Sequence, residues 1–78
     1  MLKPVYTKQF ARDIKRAQKR SKNLDKFRII ATTLLKGDAL DEIHRDHKLL
    51  GIYADRRECH IESDWLLIYK TTKDSMCL

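Results

Sequence analysis

Glycine and proline are scarce in these 78 residues, with two of the first and one of the second. The chain therefore has no linker, repeat or low-complexity tract and reads as a single domain, residues 1–78. Cys59 and Cys77 are too few for a disulfide framework, and their separation fits no zinc-ribbon spacing. No apolar run is longer than Trp65 to Tyr69, far short of a membrane-spanning helix. The start, Met1-Leu2-Lys3-Pro4, reaches charge at once and has no apolar stretch of secretory type. The expected setting is a reducing cytoplasm, with no membrane partner. What is present, 42% hydrophobic and 36% charged residues, suits a small compact domain rather than a disordered segment.

Acidic residues are nearly missing from the first half. Residues 1–36 hold eleven Lys/Arg against Asp13 and Asp25, whereas residues 37–78 hold six against nine acids. Arg12, Lys15, Arg16, Lys19, Arg20 and Lys22 crowd into eleven positions. Such a cluster suits a polyanion or an acidic partner, although lysine-rich helix faces also serve solubility alone.

Local patterns place the elements. Leu2 to Tyr6, with Pro4, suits an edge strand. Thr7 can cap a helix from near Lys8, whose apolar face is Phe10, Ile14 and Ala17. Ser21-Lys22-Asn23 breaks the pattern, and Asn23 can cap a second helix lined by Leu24, Phe27, Ile30, Ala31, Leu34 and Leu35. Gly37 ends it. Asp38 to Leu50 is polar, with one helical turn over Leu40 to His44 and His47 in a loop. Gly51 leads into a strand over Tyr53 to Glu62, Ser63-Asp64 turns the chain, and Trp65 to Thr71 is the best strand. A last strand begins at Met76. The expected class is α+β, a helical hairpin packed on one face of a small antiparallel sheet, with His60 and Trp65 on the open face.

Histidines, an aspartate, a tryptophan and arginines converge on this second half. Cutting RNA at its 2′-hydroxyl needs a base, an acid and cations for the phosphorane. Imidazole suits both proton transfers because its ordinary pKa, about 6.5, lies near neutrality. His60, four residues before Asp64, could be oriented by that carboxylate, with His47 as the second imidazole. Arg56 and Arg57 offer guanidinium forks for phosphate, and Trp65 a stacking surface. Each residue also has an ordinary role: His60 as a surface residue, Trp65 as core, Asp64 as a turn former, Arg57 as an ion-pair partner. A second chemistry would use His44 and His47, spaced i, i+3 on a helical turn, with His60 or Asp64 as metal ligands.

The runs Asp46-His47-x-Leu49-x-Gly51 and Arg57-Glu58-Cys59-His60-Ile61-Glu62-Ser63-Asp64-Trp65-Leu66-Leu67-Ile68-Tyr69-Lys70 resemble the YafQ branch of the RelE/ParE toxin superfamily. Ala17-Gln18-Lys19-Arg20 extends the resemblance to the paired helices. The resemblance implies a RelE-like fold and a toxin of a type II toxin–antitoxin pair. It implies an mRNA interferase that cleaves codons in the A site of the 70S ribosome and is silenced by a cognate, often DinJ-like antitoxin, with no metal and no small-molecule cofactor. By position, His47, His60 and Asp64 match catalytic residues of the branch, Trp65 a residue beside them, and Arg57 a basic position of the superfamily. The basic helical half would contact ribosomal RNA or the antitoxin. Ser63 replaces a proline usual before Asp-Trp, which loosens that turn. Family members continue past the strand at Met76 into an Arg-Thr-Gly-x-His-x-x-Leu-Phe tail carrying another catalytic histidine. Relative to that pattern the last strand is cut short, so the expectation is unpaired backbone on its neighbour and weakened cleavage. The alternatives are a non-catalytic remnant that binds antitoxin and a ParE-like protein that inhibits by occlusion.

Overall fold

The computed structural model describes residues 1–78, folded as two helices against a five-stranded sheet. β1 (Lys3–Val5) leads into α1 (Lys8–Lys19) and α2 (Leu24–Leu35), followed by a short 3-10 turn at Glu42–His44. The rest is β2 (His47–Lys48), a second 3-10 turn at Gly51–Tyr53, β3 (Arg57–Glu62), β4 (Trp65–Thr71) and β5 (Ser75–Cys77). Both helix starts follow their caps. The Thr7 hydroxyl accepts from the Phe10 N–H at 3.1 Å, and the Asn23 side chain accepts from the Asp25 N–H at 3.0 Å. Gly37, at φ 78°, ends α2 in a Schellman motif: its N–H donates to Leu34 O and that of Asp38 to Thr33 O.

The strands order as β1-β5-β4-β3-β2. Three of the four pairings are antiparallel, but β1 runs parallel to β5, with Lys3 opposite Ser75 and Val5 opposite Cys77. The sheet is thus mixed rather than antiparallel throughout. A parallel pair needs a long crossover, and here the crossover is nearly the whole chain, which no local pattern announces. β5 lies between β1 and β4 but meets β4 only at Lys70 and Thr71. On its β5 side, β4 from Trp65 to Tyr69 has no strand beside it. It borders a groove of about 450 Å³ whose walls include Phe10, Ile14 and Phe27.

The core is nearly all α2 against β3, β4 and β5. Ile30, Ala31 and Leu34 meet Cys59, Ile61, Leu67, Tyr69, Met76 and Leu78. From α1 only Ala17 is buried, while Phe10 reaches across to Phe27 with ring centroids 5.4 Å apart. Two further expectations are corrected. Gly51 opens a 3-10 turn instead of a strand, so β3 begins at Arg57. His47 stands on a two-residue strand instead of in a loop.

Met76 is fully buried at the centre of this core. A domain of this length has a total stability of only about 4–12 kcal/mol. Met76→Ala should therefore cost about 2–5 kcal/mol in a urea titration, whereas Ile29→Ala, at a position 68% exposed, should change it by less than about 0.5 kcal/mol.

Candidate active site

Register assigns the faces of the sheet. In the β3–β4 pair Cys59 lies opposite Leu67 and His60 opposite Leu66. Cys59, Leu67 and Tyr69 are buried beneath α2, so His60, with Leu66 and Ile68, looks out from the open face. Trp65 alternates with Leu66 and belongs to the helix side, where it is half-buried against the core. The expected sharing of the open face by His60 and Trp65 is therefore wrong. Apolar burial on β4 selects the phase Trp65, Leu67, Tyr69, and the tryptophan follows its strand.

A second histidine reaches the open face through β2, where His47 pairs with Glu58. Its Nε2 lies 3.5 Å from Glu58 Oε1, and its Nδ1 donates to the Arg45 carbonyl at 2.6 Å. Because a carbonyl can only accept, that bond places a proton on Nδ1, so that in the neutral ring the lone pair is on Nε2. His60 follows Glu58 by two residues on the same face, which makes His47 and His60 diagonal neighbours, roughly 7–8 Å apart by strand geometry. His44 stands next to them: its Nδ1 donates to the His60 carbonyl at 2.8 Å.

Asp64 does not orient His60. Both its oxygens accept from Lys22 Nζ at 3.0 Å, and Glu62 completes the cluster, 3.4 Å from Lys22 and 2.9 Å from Lys26. The Lys22 ammonium holds the Asp64 carboxyl below its ordinary value, and Lys26, then Lys22, does the same for Glu62. The contact with Asp64 raises Lys22 in turn. A bulge between His60 and Glu62 turns this end of the hairpin toward the helices, which no alternation rule anticipates. Lys22, expected to face RNA or antitoxin, is thereby tied into the fold.

Arg16, Arg20 and Lys22 line a small cleft with Asp64 and Trp65. Arg12, Lys15, Arg16, Lys19 and Arg20 are all exposed, and of these only Arg16 has an ion pair, a 4.0 Å contact with Asp13. Arg57 is not free as a phosphate fork: its Nε donates to Asp46 Oδ1 at 3.2 Å, beside the Tyr69 hydroxyl on the same oxygen at 2.7 Å. Arg56 lies 5.5 Å over the Tyr53 ring. Burial pushes the Cys59 thiol up to about 12, which leaves it unreactive.

The metal-ligand arrangement of His44, His47 and Asp64 or His60 is not formed. His44 ends a 3-10 turn and His47 stands on β2, so no single helical turn aligns them. No group of three or more His, Cys, Asp or Glu side chains is placed to hold a metal ion. Glu58 and Asp46 were not anticipated as site residues, and His44 was expected only as a metal ligand. A carboxylate spaced two residues before His60 on one strand was the available sign of Glu58. Nothing local pointed to Asp46.

Comparison with known proteins adds family and fold. The family model for YafQ, a bacterial toxin of type II toxin–antitoxin systems, matches residues 2–78. The mRNA interferase toxin YafQ of Escherichia coli K12 is 40% identical over 68 residues, spanning 86% of this chain and 74% of that protein. In the crystal structure of the E. coli DinJ–YafQ toxin–antitoxin complex, a chain 35% identical superposes with a TM-score of 0.90, over 99% of this chain and 86% of that one. A metal-bound toxin from Helicobacter pylori, 31% identical, superposes at 0.94 over 100% and 89%. A bound metal has no ready set of three ligands in the present chain.

The Lys22 cluster has a pH signature. The depressed carboxyls of Asp64 and Glu62 contribute stability above their ordinary values of 3.8 and 4.5, and lose it as pH falls through the lower folded values. Thermal midpoints should therefore be level from this source above about pH 5 and drop below about 4.5. An Asp64→Asn/Glu62→Gln double variant should drop less steeply over the same acid range.

Proposed function

This chain belongs to the YafQ family of bacterial type II toxins, and we propose that it is an endoribonuclease that cuts messenger RNA with His47 and His60 as its proton-transfer pair. The observation that carries the reading is the register of His47 against Glu58, which sets two imidazoles diagonally on one exposed face. Roughly 7–8 Å between diagonal strand positions leaves room for a phosphodiester between the rings.

The chemistry follows from the tautomer. With its proton held on Nδ1 by the Arg45 carbonyl, the neutral His47 ring takes the proton of the 2′-hydroxyl at Nε2 as the 2′-oxygen attacks phosphorus. Glu58, 3.5 Å from that nitrogen, stabilises the imidazolium that results. His60, in its protonated form, gives a proton to the departing 5′-oxygen. The products are a 2′,3′-cyclic phosphate and a 5′-hydroxyl, with one proton taken up and one released. Both transfers are made by imidazoles, so the scheme calls for no metal.

Asp64 is occupied by Lys22 in a cleft with Arg16 and Arg20, and Trp65 faces the helices, so neither is assigned a proton transfer. Arg56, exposed after the loop that follows β2, is the arginine free to meet phosphate, whereas Arg57 is bound to Asp46. The basic face of α1, Arg12, Lys15, Lys19 and Arg20, suits ribosomal RNA or an acidic antitoxin surface. The partner is an antitoxin related to DinJ, and the substrate is message on the 70S ribosome in the cytoplasm.

His47→Ala and His60→Ala should each reduce cleavage about 10²–10⁴-fold and relieve growth arrest, with antitoxin affinity unchanged. Primer extension on a reporter message reads the first effect and co-purification with antitoxin the second. Undiminished discrete cuts by either variant would exclude that histidine from the chemistry. Growth arrest with intact message would favour a ParE-like mode, and joint loss of cleavage and antitoxin capture would make the histidine structural.

A further inference from the structure

The segment that carries His47 is short. β2 has two residues, and strand pairing alone gives it two partners, Glu58 and Arg57. The turn before it is unfavourable, because Arg45 sits at φ 48°, a left-handed conformation that costs a side-chain-bearing residue about 1–2 kcal/mol. Yet it is the carbonyl of this same Arg45 that takes the Nδ1 proton of His47. The ring's orientation and its tautomer both depend on Arg45 staying where it is.

The N–H of Arg45 itself bonds the Glu42 carbonyl at 3.0 Å as the cap of the 3-10 turn, and a second restraint, acting through the next residue, is on the other side of the sheet. Asp46, between Arg45 and His47, directs its carboxylate toward the helix side, where Oδ1 accepts from the Tyr69 hydroxyl at 2.7 Å and from Arg57 Nε at 3.2 Å. Tyr69 is 3% exposed and anchored in the core, so the anchor is rigid. Burial and then the bond to Asp46 push the Tyr69 phenol up, which keeps it a donor throughout the working range. Three strands are thereby joined at one oxygen: β4 through Tyr69, β3 through Arg57, and the start of β2 through Asp46.

We propose that Asp46, clamped by Tyr69 and Arg57 on the covered face of the sheet, is the positioning residue that sets the His47 imidazole for proton transfer on the open face. The inference rests on the reading of His47 as a proton-transfer group. Its causal order is specific. Release of Asp46 lets Arg45 relax toward an ordinary backbone conformation, its carbonyl leaves Nδ1, and the ring can then turn and exchange its tautomer. None of the three clamp residues touches substrate in this scheme.

The experiment uses the full chain, with ribosome-bound message as substrate and Tyr69→Phe, which deletes only the hydroxyl, beside Asp46→Asn. Both should lower kcat roughly 10- to 100-fold, as expected for a misplaced catalytic group, with KM within about twofold of wild type. In ¹⁵N spectra of the imidazoles, His47 should shift toward a mixture of tautomers while His60 keeps its wild-type resonances. Ile61→Val, a core change that loosens the same sheet without touching the clamp, separates positioning from general loss of stability: it should lower the thermal midpoint and leave kcat and the His47 spectrum unaltered. Full activity or an unmoved His47 spectrum in Tyr69→Phe overturns the clamp, as does an equal kcat loss in Ile61→Val. His47→Ala in the same assay distinguishes the two levels. If it cleaves normally, the assignment of His47 fails and the clamp loses its purpose. If it is inactive beside a fully active Tyr69→Phe, the clamp alone fails.

Discussion

Cys59 lies opposite Leu67 in the β3–β4 pair, and both are buried beneath α2. This contact sets the phase of the two best strands. Side chains alternate across a sheet with period two, so a slip of one residue would turn Cys59, Leu67 and Tyr69 to water and His60 to the core. Burial of those apolar groups thus fixes the direction of the neighbouring histidine. β2 then adds His47 to the exposed face through its pairing with Glu58. The imidazoles meet because the hydrophobic side of the sheet leaves them no other side.

The two faces also divide the electrostatics. On the covered side the charges neutralise each other locally: Lys22 with Asp64 and Glu62, Lys26 with Glu62, Arg57 with Asp46. Such half-exposed pairs contribute little each to stability. Their effect is to determine where the hairpin turn and the β2 segment sit. On α1 the basic side chains are almost without local partners, and their field extends into solvent, where it can draw a polyanion toward the sheet. Opposite uses of the same residue types follow from whether an acid stands within reach.

Much of the fold was legible in the residues. Thr7 and Asn23 cap the helices they were expected to cap, Gly37 ends α2, and Trp65 to Thr71 is the longest strand. These are local choices, decided by hydrogen bonds and burial periodicity within a few residues of each position. The site was legible in its membership more than in its arrangement. His47 and His60 share a face, whereas Asp64 belongs to Lys22, Arg57 to Asp46, and Trp65 to the helix side. Each of those three has a partner more than ten residues away or on another element, and single-strand alternation carries no information about it.

The amino-acid order by itself determined the elements, the uneven charge, the histidine pair and, through the run from Arg57 to Lys70, the family. Only the tertiary structure decided that β1 would run parallel to β5, that a bulge after His60 would send Asp64 to the helices, and that Asp46 would be held from behind by Tyr69. The physical reason is range. Capping and alternation are satisfied by neighbours in sequence, whereas strand partners and ion pairs are chosen by which surfaces the buried core brings together.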